Sequence, residues 1–235
     1  MGGGAEVKLP KVLIGVVCKE YIHAHFAENL PSVYIGQGEA FECQVFWAIG
    51  HITADGRNAC VEHAKENNFD YVLFVDSDMF FPKATLWRLL NSCTAVPKNF
   101  PPVISGVYNT RSNHRLNVYH WDKNTELFES RAVKLNSGLH KCDAVGTGCL
   151  LIDMAIFDEM DYPYFVYEYW PDSSKGGRLG WVSEDIVWSK KLMNMGIPCW
   201  IDTSLICEHL LNNVSVVQVS DDNYEIQRFG TGKAY

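Results

Sequence analysis

The chain has 235 residues, of which 47% are hydrophobic and 20% charged, and a formal net charge of −8 at pH 7. This composition fits a globular protein with a substantial core, built as one large α/β domain or two small ones. The acidic balance argues against a nucleic-acid partner, because no basic stripe is present to neutralise phosphates. No apolar run approaches the roughly 18 residues of a membrane span, so we expect a soluble, cytoplasmic protein. Eight cysteines without C-x-x-C spacing favour reduced core thiols over disulfides or a zinc site.

The first part of the chain alternates apolar runs with one helical segment. Residues 1–10 are expected to be a flexible end, and 11–18 (KVLIGVVC) a first buried strand. A second strand is predicted over 41–48 and an amphipathic helix over 52–67. The loop that leaves the first strand, beginning CKE at Cys18, Lys19 and Glu20, starts at the edge where α/β folds make ligand contacts.

Arg57 lies near the start of the predicted 52–67 helix. The free backbone N–H groups at a helix start attract anions, so an arginine there suits a phosphate. A solvated surface arginine is the other interpretation, and the pattern leaves both open.

A strand predicted over 71–75 ends in two aspartates, Asp76 and Asp78, separated by Ser77. The run is rich in valine and aromatic residues, which is typical of a strand buried on both faces, as in the centre of a parallel sheet. Two carboxylates in an apolar neighbourhood repel each other unless a cation lies beside them, and a divalent cation takes oxygen ligands. The pattern therefore predicts a metal site, against the alternative of a turn with solvated aspartates.

Further elements follow the aspartates. A helix is predicted over 83–93, a strand over 103–108, and a β-hairpin or short antiparallel ribbon within 109–140, where apolar and polar residues alternate. In the next strand region, 143–153, Gly146 and Gly148 flank Thr147. Glycines at such positions allow a backbone to approach a ligand closely, or form a bulge.

Trp181 ends a Gly-rich polar stretch, SSKGGRLGW, which suits a mobile lid with a ring for sugar stacking, although aromatic density is more often core. After it, Ser183 is expected to cap a helix that runs to about Asn194. Glu184 and Asp185 open that helix, where capping and the helix dipole explain one carboxylate, and a general base with its partner would explain both.

A late strand over 199–207 ends at Glu208 and His209. A lone histidine there is usually structural. With Asp76 and Asp78, however, one imidazole would complete a mixed oxygen and nitrogen ligand set for Mn²⁺ or a similar ion.

Six segments in a fixed order carry a family resemblance: DGRNACVEHA, YVLFVDSDM, ISGVY, AVGTGCLLI, SEDIVWSKKLMNMGIPCWID and EHL. Together they resemble the GT-A class of nucleotide-sugar glycosyltransferases, particularly its family 2-like branch. The resemblance implies a single Rossmann-like α/β domain over 11–212, with a mostly parallel central sheet flanked by helices and a small antiparallel β-ribbon. Residues 213–235 would then be a C-terminal extension.

The resemblance also implies roles for the metal-binding residues. Asp78 would ligate a divalent metal, Mn²⁺ or Mg²⁺, directly, and Asp76 would contact the ribose or the metal. His209 would be the late metal ligand.

On the donor side, the resemblance implies that Arg57 faces the pyrophosphate and that the loop at Cys18, Lys19 and Glu20 lies near the base and ribose. Gly146, Thr147 and Gly148 would border the sugar. Ser77, Gly106 and Trp181 are assigned to the same donor side. Asp185, or as second choice Glu184, would deprotonate the acceptor hydroxyl if the enzyme inverts configuration.

The expected function is the metal-dependent transfer of a sugar from a nucleoside-diphosphate sugar to a hydroxyl of a glycan, lipid-linked or small-molecule acceptor. Peripheral membrane contact stays open, and so does a retaining mechanism, in which Glu184 and Asp185 would bind a substrate. The alternatives are a catalytically silent carbohydrate-binding protein, a sugar-nucleotide phosphoesterase and a nucleotidyltransferase. The last would need a Gly-rich, Arg-containing loop after the first strand, which CKEYIHAHF is not.

Overall fold

The computed structural model describes residues 8–35, 40–111, 115–172, 178–211, 214–220 and 223–228. The first half contains β1 (Lys11–Cys18), α1 (Ala24–Tyr34), β2 (Glu42–Ile49), α2 (Thr53–Glu66), β3 (Tyr71–Asp76), β4 (Met79–Phe80), α3 (Thr85–Cys93), β5 (Val103–Val107), β6 (Val118–Asp122) and β7 (Leu127–Ser130). The second half contains β8 (Leu139–Cys142), β9 (Ala144–Val145), β10 (Cys149–Asp153), a 3-10 turn (Met154–Asp158), β11 (Glu168–Asp172), β12 (Arg178–Val182), α4 (Glu184–Asn194), β13 (Cys199–Ile206), β14 (Glu208–Leu211), β15 (Val214–Ser220) and β16 (Asn223–Arg228).

Seven strands form a central mixed sheet in the order β2-β1-β3-β10-β5-β13-β8. Strands β2, β1, β3, β5 and β13 run in one direction, whereas β10 and β8 run in the other. The α/β class predicted from the sequence is confirmed. The predicted strands and helices match the observed ones to within about two residues at most ends, which is the usual uncertainty of such boundaries.

The sheet is buried on both faces, which explains the unbroken apolar runs of its central strands. Leu13 and Phe74 pack on one face with Trp188 of α4. Ile14 and Leu73, their neighbours in sequence, point to the other face and pack with Phe26 of α1. All eight cysteines are free thiols, as predicted.

One edge of this sheet collects the loops that follow the five co-directional strands. Lys19 follows β1, His51 follows β2, Ser77 follows β3, Arg111 follows β5 and His209 follows β13. Because β10 is antiparallel, the segment 146–148 that precedes it reaches the same edge. The topology therefore brings together most of the polar residues that the sequence analysis singled out.

Smaller antiparallel sheets lie beside the central one. Strands β6 and β7 form the ribbon predicted within 109–140, β9 adds to it from outside that range, and β11 pairs with β12 as a hairpin. Residues 173–177, within the predicted lid, lie outside the described residues, as do 1–7 of the predicted flexible end. Strands β16-β15-β14-β4 form a fourth sheet, so the described part of the 213–235 extension continues the pairing of β14. Within the described ranges, no helix is long and apolar enough to cross a membrane.

Helix α1 was not predicted. It begins after His23, whose Nδ1 accepts a hydrogen bond from the His25 backbone N–H at 3.3 Å, and it contains Pro31. Proline lacks the N–H that a helix interior uses, so it is unfavourable at this position. Burial of Phe26, Leu30 and Val33 against the sheet outweighs that loss.

Gly56 generates a prediction about how closely α2 packs on β1. A Cβ at position 56 would lie 2.5 Å from Cγ1 of Val17. We expect Gly56→Ala to lower the free energy of unfolding by about 1–3 kcal/mol, because overpacking outweighs alanine's helix propensity of about 1 kcal/mol. Denaturant unfolding measures this change. Adding Val17→Ala should recover part of the loss, and a single variant as stable as the natural chain would contradict the expectation.

Candidate functional site

A cavity of about 340 Å³ opens at the edge where β1 and β3 end. Its walls include five predicted site residues and several that sequence reasoning missed. The predicted members are Cys18, Lys19, Asp76, Ser77 and Asp78. The missed ones are Tyr21, His51, Thr53 and Arg111, together with Val17 of β1. Glu20 is exposed and is not part of this wall, so its predicted donor contact has no support here.

Arg57 lies beneath this cavity, only 2% exposed, between two carboxylates. Its Nη2 donates to Asp76 Oδ1 at 2.9 Å and its Nε donates to Glu184 Oε1 at 3.1 Å. Burial alone would lower the Arg57 pKa, but the charges of Asp76 and Glu184 raise it overall, so the guanidinium stays protonated. The interpretation of Arg57 as a solvated surface residue is therefore wrong. The pyrophosphate contact stays a prediction, although Nε and Nη2 already donate to carboxylates inside the fold.

Asp78 and His209 meet because β14 pairs with β4, which directly follows Asp78. Their Oδ2 and Nε2 atoms are 3.3 Å apart. The guanidinium of Arg111 contacts Asp78 Oδ2, and Arg111 Nε donates to His209 Nε2 at 2.9 Å. A positively charged group thus lies between the carboxylate and the imidazole.

The tautomer of His209 follows from its other nitrogen. Nδ1 lies 2.9 Å from the Asn109 carbonyl oxygen, which can only accept, so Nδ1 carries the proton and Nε2 keeps its lone pair. Burial, and secondarily Arg111, lower the His209 pKa, although the Asn109 hydrogen bond and Asp76 oppose them. A neutral imidazole whose Nε2 keeps its lone pair is the form that ligates metals, and here that lone pair accepts the hydrogen bond from Arg111.

The predicted metal ligands fit a divalent cation in chemistry, but the structure does not bring all three together. Among the described residues, no three His, Cys, Asp or Glu side chains lie close enough to hold a metal ion. Asp76 Oδ1 is turned toward Arg57, whereas Asp78 and His209 converge on Arg111. A carboxylate oxygen with an imidazole nitrogen suits Mn²⁺, so Asp78 and His209 would hold the ion once Arg111, which is 59% exposed, moves aside.

The segment Gly146, Thr147 and Gly148 is buried behind Asp76 rather than exposed in the cavity. The Gly148 backbone N–H donates to Tyr108 Oη at 2.9 Å, and its carbonyl accepts from the Asp76 N–H at 3.1 Å. A Cβ at Gly146 would collide with Tyr108 Oη. The glycines therefore allow close packing on Tyr108 and Asp76, and the predicted sugar contacts do not arise in this arrangement.

Glu184 and Asp185 begin α4, as predicted, but they differ in environment. Glu184 is buried and paired with Arg57, so it is the weaker candidate for a base. Asp185 Oδ1 accepts hydrogen bonds from the Ser183 hydroxyl and from the Ile186 N–H at 2.8 Å. Burial, and then the charge of Glu184, raise the Asp185 pKa to about 6. Ser183 is at the N-cap position of α4, but its side chain makes no capping hydrogen bond, because its hydroxyl donates to Asp185 Oδ1.

Two other residues assigned to the donor side do not line this cavity. Gly106 lies inside the sheet, where a Cβ would meet the sulfurs of Cys149 and Cys207 at 3.1 Å. Trp181 stacks on Tyr167 and lines a different cavity, next to Ser183. The position of Trp181 follows from the β11–β12 hairpin, whose pairing was not predicted.

A larger cavity, about 610 Å³, lies elsewhere. It is formed around Asp70 and Tyr71 at the start of β3, the end opposite Asp76. Four of its charged residues form ion pairs with one another: Lys8 pairs with Asp70, and Lys65 pairs with Asp158. The cavity at Asp76 and Asp78 is smaller, but it contains predicted site residues at the edge where the parallel strands end.

Comparison with known proteins supports the fold. No protein-family model and no curated protein matches the sequence. The crystal structure of A197 from STIV is similar to this chain, with a TM-score of 0.61 over 97% of this chain and 98% of that one. Sequence identity is 12%, so the likeness shows a shared fold and nothing about activity.

Arg57 generates a stability prediction. We expect Arg57→Met to reduce the free energy of unfolding by about 3–5 kcal/mol, because Asp76 and Glu184 lose the buried charge that pairs them. Chemical denaturation gives the value. The double variant Arg57→Met/Glu184→Met should lose less than the single variant, since it no longer buries an unpaired Glu184. A single-variant loss below about 1 kcal/mol would contradict this role.

Asp185 generates a pH prediction. Because its pKa in the folded chain, about 6, exceeds the ordinary value of 3.8, the folded state holds the proton more tightly than the unfolded state. The contribution of Asp185 to the free energy of unfolding is present below pH 4 and is lost as the pH rises toward 6. We therefore expect Asp185→Asn to gain stability relative to the natural chain between pH 4 and 6, by about 1–3 kcal/mol, with no further gain above. Thermal unfolding of both chains across this range measures it; a constant difference would contradict it.

Proposed function

We propose that the chain is a GT-A-type glycosyltransferase that uses a divalent metal to transfer a sugar from a nucleoside-diphosphate sugar to an acceptor hydroxyl. The observation that carries the proposal is the buried Arg57, which joins Asp76 at the cavity to Glu184 at the start of α4. This bridge fixes the aspartate pair and the Glu184–Asp185 pair within one site. The family resemblance of the same segments adds to it.

Asp78 and His209 are the residues that would hold the metal, and Lys19, Ser77 and Thr53 line the cavity in which the nucleotide would bind. A bound divalent ion neutralises the negative charge that develops on the departing nucleoside diphosphate. In the transfer, the acceptor oxygen bonds to the anomeric carbon while that carbon's bond to the diphosphate oxygen breaks. The hydroxyl proton passes to a carboxylate, and the nucleoside diphosphate leaves.

Asp185 is the carboxylate proposed to take that proton. A pKa of about 6 leaves it mostly ionised at neutral pH, yet basic enough to accept a proton efficiently. The Ser183 and Ile186 hydrogen bonds both reach Oδ1, so Oδ2 is the oxygen oriented for proton transfer. If the enzyme retains configuration, Glu184 and Asp185 would instead hold a substrate.

A second candidate is a carbohydrate-binding protein without transfer activity. The position of Arg111 favours it, because a guanidinium between Asp78 and His209 already supplies positive charge without a metal. The two candidates differ in whether Mn²⁺ and a nucleotide sugar bind together.

The test titrates the full chain with nucleoside diphosphates and nucleotide sugars, with and without Mn²⁺, by calorimetry and thermal shift. We expect at least one nucleotide sugar to bind only with Mn²⁺. Asp78→Asn should abolish that dependence, whereas Arg111→Gln should strengthen Mn²⁺ binding, because it removes the competing charge. Absence of any Mn²⁺-dependent binding at ligand levels far above plausible affinity would overturn the proposal in favour of the second candidate.

Asp185→Asn separates binding from catalysis in the same assay. It should leave donor binding within about twofold and lower donor hydrolysis or transfer by about 10²- to 10⁴-fold, the range expected for losing a general base. Equal loss of donor binding would assign Asp185 to holding the donor.

A further inference from the structure

Two cavities share Trp170 of β11 in their walls, and one of them lies beside the start of α4. The inner cavity, about 270 Å³, is bounded by Ser183 and Ile186, which flank the Glu184–Asp185 pair. The outer cavity, about 390 Å³, continues toward Glu126 and Lys190. We call the two together the aromatic cleft.

Aromatic rings follow the cleft from one cavity to the other. Trp121 and Phe128 meet edge to face with centroids 5.0 Å apart, and Phe128 lies 6.4 Å from Trp170. Trp181, which is 59% exposed, lines the inner cavity. These rings come from the β6–β7 ribbon and the β11–β12 hairpin, so the cleft is formed by elements outside the central sheet.

Polar groups alternate with the rings. Glu168 Oε2 accepts a hydrogen bond from Trp170 Nε1 at 2.6 Å, and Lys190 Nζ lies 3.3 Å from the centroid of the Trp121 ring. Glu126 lines the same outer cavity. A sugar ring presents apolar C–H faces and hydroxyl edges, which match rings and charged hydrogen-bonding groups in alternation. A hydrocarbon chain would displace water from the two carboxylates and the ammonium group without offering them hydrogen bonds.

Asp185 lies between this cleft and the nucleotide cavity. Ser183 and Ile186, on either side of the Glu184–Asp185 pair, line the inner cavity. Glu184 accepts a hydrogen bond from Arg57 Nε, and Arg57 Nη2 donates to Asp76, which lines the nucleotide cavity. Asp185 is therefore next to the inner cavity through its neighbours in the chain and is linked to the nucleotide cavity through Glu184 and Arg57.

We propose that the aromatic cleft binds the acceptor, and that the acceptor is a neutral oligosaccharide of at least two sugar units whose end lies at Asp185. The role of the bound oligosaccharide as acceptor rests on the proposed function. Oligosaccharide binding in the cleft does not depend on it. Two cavities in series account for two or more units. Two carboxylates against one ammonium group disfavour an anionic chain.

The experiment titrates the full chain with neutral linear oligosaccharides of one to six units, built from glucose, mannose, xylose or N-acetylglucosamine. Uronic-acid oligosaccharides and alkyl maltosides with long chains are run beside them. Calorimetry gives the affinity, and tryptophan fluorescence of the unmodified chain reports contact with the rings. We expect affinity to rise from one unit to three in one neutral series, with a change in fluorescence.

Trp170→Ala tests whether the oligosaccharide binds in the aromatic cleft, because Trp170 lines both cavities. We expect it to weaken oligosaccharide binding by about tenfold or more, the loss expected for one stacked and buried ring. Tyr169→Ala is the matched control: Tyr169 is the next residue of the same strand, is 65% exposed, and does not line either cavity. This variant should bind within about twofold of the natural chain. Trp170→Phe serves if the alanine variant does not fold.

The outcomes distinguish failure of the oligosaccharide proposal from failure of the transferase proposal. Oligosaccharide binding that depends on Trp170 supports the cleft, even if no nucleotide sugar binds and the transferase proposal fails. Mn²⁺-dependent nucleotide binding without binding of any neutral oligosaccharide overturns the cleft and leaves the transferase proposal standing. Tighter binding of uronic-acid chains, binding that follows alkyl length, or equal loss in both variants also overturns it.

Discussion

The buried guanidinium of Arg57 holds together two parts of the chain that are far apart in sequence. It donates to Asp76, 19 residues later, and to Glu184, 127 residues later. Removing three charges from water costs several kcal/mol per ion, and only mutual attraction with good hydrogen-bond geometry offsets it. Because the arrangement is destabilised by losing any one partner, it fixes the end of β3 relative to the start of α4. The aspartates at the sheet edge and the carboxylates at the start of α4 are therefore held at fixed positions relative to one another.

The second constraint is the register between β14 and β4. Pairing of His209 with Met79, and the hydrogen bond from the Leu210 N–H to the Asp78 carbonyl at 2.7 Å, set His209 beside Asp78. A slip of one residue would turn His209 to the other face of its strand and away from Asp78. The candidate metal ligands therefore depend on a short antiparallel pairing added to the sheet edge, and not on the central sheet alone.

Sequence patterns predicted the features that depend on local chemistry. The apolar runs of β1 and β3, the position of Asp76 and Asp78 at a strand end, and the start of α4 follow from periodicity and residue type. Features that depend on distant partners were missed. Periodicity cannot show that Arg57 meets two carboxylates, that Arg111 reaches Asp78, or that β10 runs antiparallel. Trp181 lines a different cavity from Asp76 and Asp78 because the pairing of β11 with β12 decides where its ring lies.

The cavity at the sheet edge and the aromatic cleft are built on different parts of the fold. Residues around the cavity at Asp76 and Asp78 follow strands of the central sheet, of which β1, β3 and β5 are paired on both sides. The aromatic cleft is built on the β6–β7 ribbon and the β11–β12 hairpin, which can vary in length and sequence without disturbing that sheet. Asp185 follows β12 by only three residues and is held to Arg57 through its neighbour Glu184. A change in the hairpin would therefore reach Asp185 along the chain through Ser183, while the Arg57 bridge holds Glu184 in place.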